Sequence, residues 1–140
     1  MLIEKNTFWE LKQAVFSPPP EIGGILGGKN DIVSFFKIDI PGEKEARYCE
    51  YHPNVDYLNS CIEFWINNGI EFLGVFHTHF PGGYELSKQD RCYIKQIVMS
   101  MPQKIRHLYF PVFCSGQLIG YRATRYLDSV HISCDDIKII

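Results

Sequence analysis

The segment Ile70–Phe76, IEFLGVF, constrains the fold of this chain more than any other. It is an apolar run of strand length that reads as a central strand ending at His77. A central strand needs neighbours on both edges, and the flanking sequence offers them. Ile22–Leu26 and Ile32–Ile38 alternate with the turn-forming Gly27-Gly28-Lys29-Asn30-Asp31 and predict a hairpin. His107–Cys114 and Leu118–Thr124, joined at Ser115-Gly116, predict two more strands, and the tail 130–140 a last one. A further strand is expected around Arg47–His52, after the charged loop 42–46.

Helical spacing appears three times. Phe8, Leu11, Ala14 and Val15 predict a helix over 6–16, with Asn6 or Thr7 as N-cap and Pro18-Pro19-Pro20 as its stop. Val55, Leu58, Cys61 or Ile62, and Trp65 share one face of a helix over 54–68 that stops at Asn68-Gly69. A third helix is expected from Ser87 to about Met99. Strands and helices in mixed order, with hairpins, predict an α+β fold: a mixed, largely antiparallel β-sheet flanked by helices.

With 140 residues, 46% of them hydrophobic and 21% charged, the chain suits one domain (1–140) with a real core, and intrinsic disorder is excluded. A net charge of -2 is the wrong sign for an electrostatic nucleic-acid binder. The longest uncharged stretch, His107–Tyr121, contains Pro111, Ser115, Gly116 and Gln117 and falls short of a membrane span. Glu4 interrupts the place where an export signal would build its apolar run. Five scattered cysteines without C-x-x-C spacing read as free thiols in a reducing compartment. The expectation is therefore a cytoplasmic protein with no nucleic-acid or membrane partner.

The chemistry concentrates in Phe76–Asp90, FHTHFPGGYELSKQD. His77 and His79 are two apart at a strand end, so their imidazoles point to one face while Thr78 points to the other. Ser87 and Asp90 have the spacing of a helix capping box. The same turn can bring the Asp90 carboxylate back beside both imidazoles. His77, His79 and Asp90 then form a nitrogen-rich set of three ligands with one position left for water, the pattern of a catalytic zinc site. A competing match, Gly23–Lys29 to a P-loop, fails because Asn30 stands where Ser or Thr belongs and a strand follows instead of a helix. His52, His107 and His131 show no nearby ligand partners in sequence and read as structural or exposed.

The pattern H-x-H-x7-S-x2-D resembles the signature of the JAMM metalloproteases, also called MPN+ or JAB domains, position for position at His77, His79, Ser87 and Asp90. From the composition of the chain, such a match arises by chance in roughly 5 of 10,000 sequences. Upstream, Glu21-Ile22-Gly23-Gly24-Ile25-Leu26-Gly27-Gly28 is similar to the family's E-x-x-G-x-L-x-G, with Glu21 in the place of the catalytic glutamate. Phe80 and Leu86 stand where members often carry proline.

The resemblance implies an MPN/JAB fold of cytidine-deaminase-like architecture, in a compact prokaryotic-type member with one Zn²⁺ per chain. It implies an isopeptidase or peptidase in which Glu21 carries the proton and Ser87 helps stabilise the oxyanion. Implied substrates are ubiquitin-like or sulfur-carrier proteins with a Gly-Gly tail, with activating or conjugating enzymes as associates, for instance in a bacterial antiviral conjugation system. A homodimer is compatible with this reading. The alternatives are a non-catalytic MPN-type scaffold and a DNA-repair-associated JAB-domain protein.

Overall fold

The computed structural model describes residues 1–15, 21–40 and 51–140. In chain order the elements begin with β1 (Leu2–Ile3), α1 (Lys5–Ala14), β2 (Gly23–Lys29), β3 (Ile32–Ile38), α2 (Val55–Asn67) and β4 (Glu71–Thr78). They continue with α3 (Lys88–Ser100), β5 (His107–Tyr109), β6 (Val112–Cys114), β7 (Gln117–Ile119), β8 (Tyr121–Tyr126), β9 (Ser129–Cys134) and β10 (Lys138–Ile139).

Local chemistry accounts for the turns. Asn30 and Asp31 both take positive φ, 52° and 63°, as a two-residue type I′ hairpin between β2 and β3 requires. Helix α2 starts where the Asn54 side chain accepts the Tyr57 N–H. It ends in a Schellman turn: Gly69 has φ +73°, its N–H donates to Ile66 O, and the Ile70 N–H donates to Trp65 O. That turn feeds the chain directly into β4.

Along the sheet the strands run β10-β1-β3-β2-β4-β5-β8-β9, with β6 pairing β4 and β7. Strand β4 is central, antiparallel to β2 and parallel to both β5 and β6. Each face of the sheet is covered. Leu58 and Trp65 of α2 and Ile94 and Val98 of α3 pack with Ile25, Phe72, Val75, Leu108 and Val112 on one side. Leu11 of α1 packs with Ile3, Leu26, Val33, Leu73, Phe76 and Phe113 on the other. At roughly 1.5–3 kcal/mol for each large apolar side chain buried, these two layers supply the main drive to fold.

Two β-bulges interrupt the strand alternation. Opposite β2, Leu26 pairs with Gly74 and Gly27 with Phe72, so Leu73 is an extra residue in β4. Phe72 therefore faces α2, Leu73 faces α1, and Val75 faces α2 again. In β3, Ser34 is extra, and its carbonyl accepts a 3.0 Å hydrogen bond from the buried Thr7 hydroxyl.

The α+β fold with a mixed sheet flanked by helices is as the sequence predicts. Several details differ. Thr7 is tied to Ser34 and is no N-cap; α1 begins after Glu4, whose side chain makes no cap. The expected strand over 107–114 breaks at Phe110-Pro111, where proline offers no N–H, and becomes β5 and β6 with different outer neighbours. Its partner 118–124 breaks likewise at Gly120. The tail gives two strands, β9 and β10, where one was expected, and β1 was unanticipated. Tyr51 and His52 are not in a strand, while 47–50 and the Pro18-Pro19-Pro20 stop lie outside the described residues. No helix among the described residues is long and apolar enough to cross a membrane. Cys61, Cys92, Cys114 and Cys134 are free thiols, as expected; Cys49 lies outside the described residues.

Candidate metal centre

Continuing the alternation from Val75, His77 and His79 project from the end of β4 toward the start of α3. Backbone bonds fix this end from both sides. The His79 N–H donates to Phe113 O at 2.8 Å and the His77 N–H to Pro111 O at 3.3 Å. On the β2 side, Thr78 N–H donates to Ile22 O at 2.8 Å, and the Thr78 hydroxyl oxygen accepts the Ile22 N–H at 2.9 Å. The Thr78 side chain, pointing away from the two imidazoles, thus ties Glu21's neighbour to the histidine strand.

Helix α3 closes the site. Ser87 caps it with both halves of a capping box: its Oγ accepts the Asp90 N–H at 3.0 Å, and Asp90 Oδ2 accepts the Ser87 N–H at 2.8 Å. Held this way, the Asp90 carboxylate lies 3.0 Å from His79 Nε2 and 3.2 Å from His77 Nε2. The two Nε2 atoms are 2.7 Å apart. The histidines are buried, at 5% and 8% exposure.

Proton counting shows what this cluster is suited to hold. His79 Nδ1 lies 2.7 Å from Gly83 O, which can only accept, so Nδ1 carries the proton and neutral His79 presents a lone pair at Nε2. That lone pair faces a second imidazole nitrogen and a carboxylate. Atoms this close need a hydrogen or a metal ion between them. In the metal-free protein a hydrogen on His77 Nε2 can fill that place. The Asp90 hydrogen bond is the main influence raising the His79 pKa, burial opposes it, and the Gly83 carbonyl and the charges of Asp90 and Glu21 add to it. Burial pushes the Asp90 carboxyl up, but the hydrogen bonds of His77 and His79, the charge of His77 and the Ser87 N–H outweigh it. The group stays well below the usual carboxylate range.

The donor set fits a metal ion equally well. Two imidazole nitrogens and a carboxylate oxygen converge within 4.8 Å of one another. Gly83 orients one ligand as outer partners of metal-bound histidines do. The cluster opens onto a cleft of about 540 Å³ lined also by Glu21, Tyr51, Ser87 and Tyr93. All five residues singled out in the sequence therefore meet there: His77, His79 and Asp90 as potential ligands, Glu21 and Ser87 on the walls. Glu21 is placed by the Tyr51 N–H, which donates to its Oε2 at 3.4 Å.

Sequence reasoning missed Gly83 and Tyr51. Gly83 gives no signal, because its carbonyl is what acts. Tyr51 is separated from the motif by all of α2 and β4. His52 lines the cleft, His107 pairs with Asp31 at 3.0 Å beside the β2–β3 turn, and His131 is exposed on β9.

No protein-family model matches the chain, and no curated protein matches it. Among solved structures it is similar to the solution structure of protein DSY2949 from Desulfitobacterium hafniense, at 17% identity and a TM-score of 0.64, covering 99% of this chain and 93% of that one. At that identity the likeness speaks for the shared fold alone.

Proposed function

We propose that this chain is a zinc-dependent isopeptidase or peptidase of the JAMM/MPN+ type, with the MPN/JAB architecture. In this reading it hydrolyses the amide bond that follows the Gly-Gly tail of a ubiquitin-like or sulfur-carrier protein, in the cytoplasm. The observation that carries the reading is the convergence of Glu21, His77, His79, Ser87 and Asp90, from three separate segments, on one cleft. Two imidazoles and one carboxylate suit zinc better than magnesium or calcium, which prefer oxygen-rich shells.

Zinc held by His77, His79 and Asp90 would supply Lewis acidity, polarising the scissile carbonyl and making water acidic enough to ionise near neutral pH. The remaining work falls to the chain. Glu21, on the cleft wall, takes the proton from the attacking water and returns it to the departing amine. Ser87 acts through its hydroxyl hydrogen. Its oxygen lone pair is engaged by the Asp90 N–H, which leaves the O–H to donate to the developing oxyanion. The half-buried Asp90 is held well below the usual carboxylate range, so it presents a charged carboxylate at neutral pH.

The test is direct. The purified chain should carry about one zinc, and it should release the carrier from fusions or lysine adducts joined through a Gly-Gly terminus. A zinc-loaded protein that cleaves no such substrate would point to a scaffold instead.

A further inference from the structure

His79 is oriented by the Gly83 carbonyl, whereas the ring of His77 is flanked by an aromatic neighbour. Tyr51 stacks on it with centroids 6.2 Å apart and planes inclined by 21°. The Tyr51 hydroxyl donates to Oδ2 of the buried Asp39 at 2.8 Å, an oxygen that also accepts the Asn54 N–H at 2.9 Å. The phenol is therefore anchored at its far end beside the start of α2. At its near end it occupies space that only a glycine leaves open. A Cβ on Gly23 would stand 2.4 Å from Tyr51 Cε2, and Gly23 is the cross-strand partner of His77. The backbone of Tyr51 holds Glu21 through the 3.4 Å bond from its N–H.

We propose that Tyr51 is a positioning residue of the metal centre, setting the ring plane of His77 through its phenol and the carboxylate of Glu21 through its backbone N–H. The physical need is clear. The torsion that spins an imidazole about its attachment is soft. A ligand nitrogen that swings out of line weakens the site. A flat ring locked by Asp39 and backed by Gly23 removes that freedom from one face, and a backbone bond carries the same constraint to Glu21. The inference rests on the metal reading above, and the experiment separates the two.

The full chain is prepared as wild type, Tyr51→Phe, Tyr51→Leu, Gly23→Ala and Val98→Ala. Zinc affinity is measured by competition with a chelator, the cobalt(II) visible spectrum is recorded, and the metal-free proteins are melted. Tyr51→Phe gives up the Asp39 bond but keeps the flat ring packed on Gly23, so it should weaken zinc by no more than about threefold. Tyr51→Leu removes the ring, and Gly23→Ala displaces it from the opposite side without touching its chemistry. Both should weaken zinc about tenfold or more, as loss of ligand-orienting contacts does, and both should shift the cobalt bands. Val98→Ala truncates the core about two turns along α3 from Asp90; it should melt earlier with unchanged affinity.

Wild-type affinity and cobalt spectrum in both Tyr51→Leu and Gly23→Ala would overturn the positioning role while leaving the metal reading intact. An equal loss of affinity in Val98→Ala would assign the effect to general stability and overturn the role as well. A wild type that takes up neither metal overturns both. Should Tyr51→Leu fail to fold, Gly23→Ala measured against Tyr51→Phe decides the question.

Discussion

Ser87 and Asp90 are bonded to each other twice, backbone to side chain in both directions, and the carboxylate so fixed faces both His77 and His79. The helix cap and the ligand set are one structure. A capping box ordinarily ends its work at the helix terminus. Here it also removes the rotational freedom of a ligand, so orientation of Asp90 is completed when α3 forms.

This coupling makes Ser87 separable into two roles. Ser87→Ala should cost about 1 kcal/mol of stability through the lost cap and lower turnover by about 10²–10³ through the lost oxyanion donor. Ser87→Gly, which caps nearly as well, should restore most of the stability and none of the turnover. Thermal melts beside steady-state rates distinguish them. Recovery of turnover in the glycine variant would remove Ser87 from the chemistry.

For Glu21, the expected outcome is metal retention without catalysis. Glu21→Gln should bind zinc like wild type and lose about 10²–10⁴ in kcat, the usual contribution of a positioned proton carrier. Metal analysis and a cleavage assay on the same preparation provide the check, and a fully active variant would be incompatible with the assignment.

His79→Ala and Asp90→Ala should each abolish stoichiometric zinc. In wild type, added zinc should raise the melting temperature by mass action, by about 2.7 kcal/mol of stability at a hundredfold excess over Kd. The two variants should show no such rise. A variant that still gains stability from zinc would locate the ion elsewhere.

Alkaline stability follows from buried phenols. Burial, with nearby acidic groups adding to it, raises the pKa of Tyr51, Tyr93 and Tyr109 above the ordinary 10.0. The fold therefore favours the neutral phenols. This contribution is fully present below pH 10, where the unfolded chain also holds its protons, and is lost as the pH rises beyond that toward the raised values. Urea midpoints should fall steadily above pH 10. Tyr109→Phe, which also releases the 2.7 Å bond to Asp31, should make the fall shallower.

Gly74 tests the centre of the sheet. A Cβ there would sit 1.9 Å from the Tyr109 carbonyl oxygen, at the register point where β4 meets β5. The obstacle is backbone and cannot swing aside. Gly74→Ala should destabilise by about 1–3 kcal/mol or more, measured by chemical denaturation. A neutral result would mean that β5 can step back from β4.

What the sequence makes legible here is short-range. The Asn68-Gly69 stop and the Ser87 cap are each decided by a few neighbouring residues and lie where local chemistry puts them, whereas the turn expected over 27–31 narrows to Asn30-Asp31 because Gly27–Lys29 stay paired in β2. The convergence of His77, His79 and Asp90 was readable for the same reason, since a strand end, a turn and a helix start bring it about. Long-range features were not readable. Strands β1 and β10 are two residues long and exist because each lies against the other, while β1 also pairs with β3. Thr7 looks like a cap until Ser34 bulges toward it. Tyr51 reads only as part of a strand expected over 47–52 until Gly23, Asp39 and His77 are seen around it.

The extra residue in β4 has a further consequence. Were Leu73 paired as an ordinary ladder residue, the two-residue rhythm that sets Phe72 against α2 would carry Phe76 and Thr78 to that side and turn His77 and His79 into the apolar layer beneath α1. The facing of the ligands is thus a matter of phase, fixed upstream by which residue the pairing skips. The chemistry of this cleft is timed by a miscount.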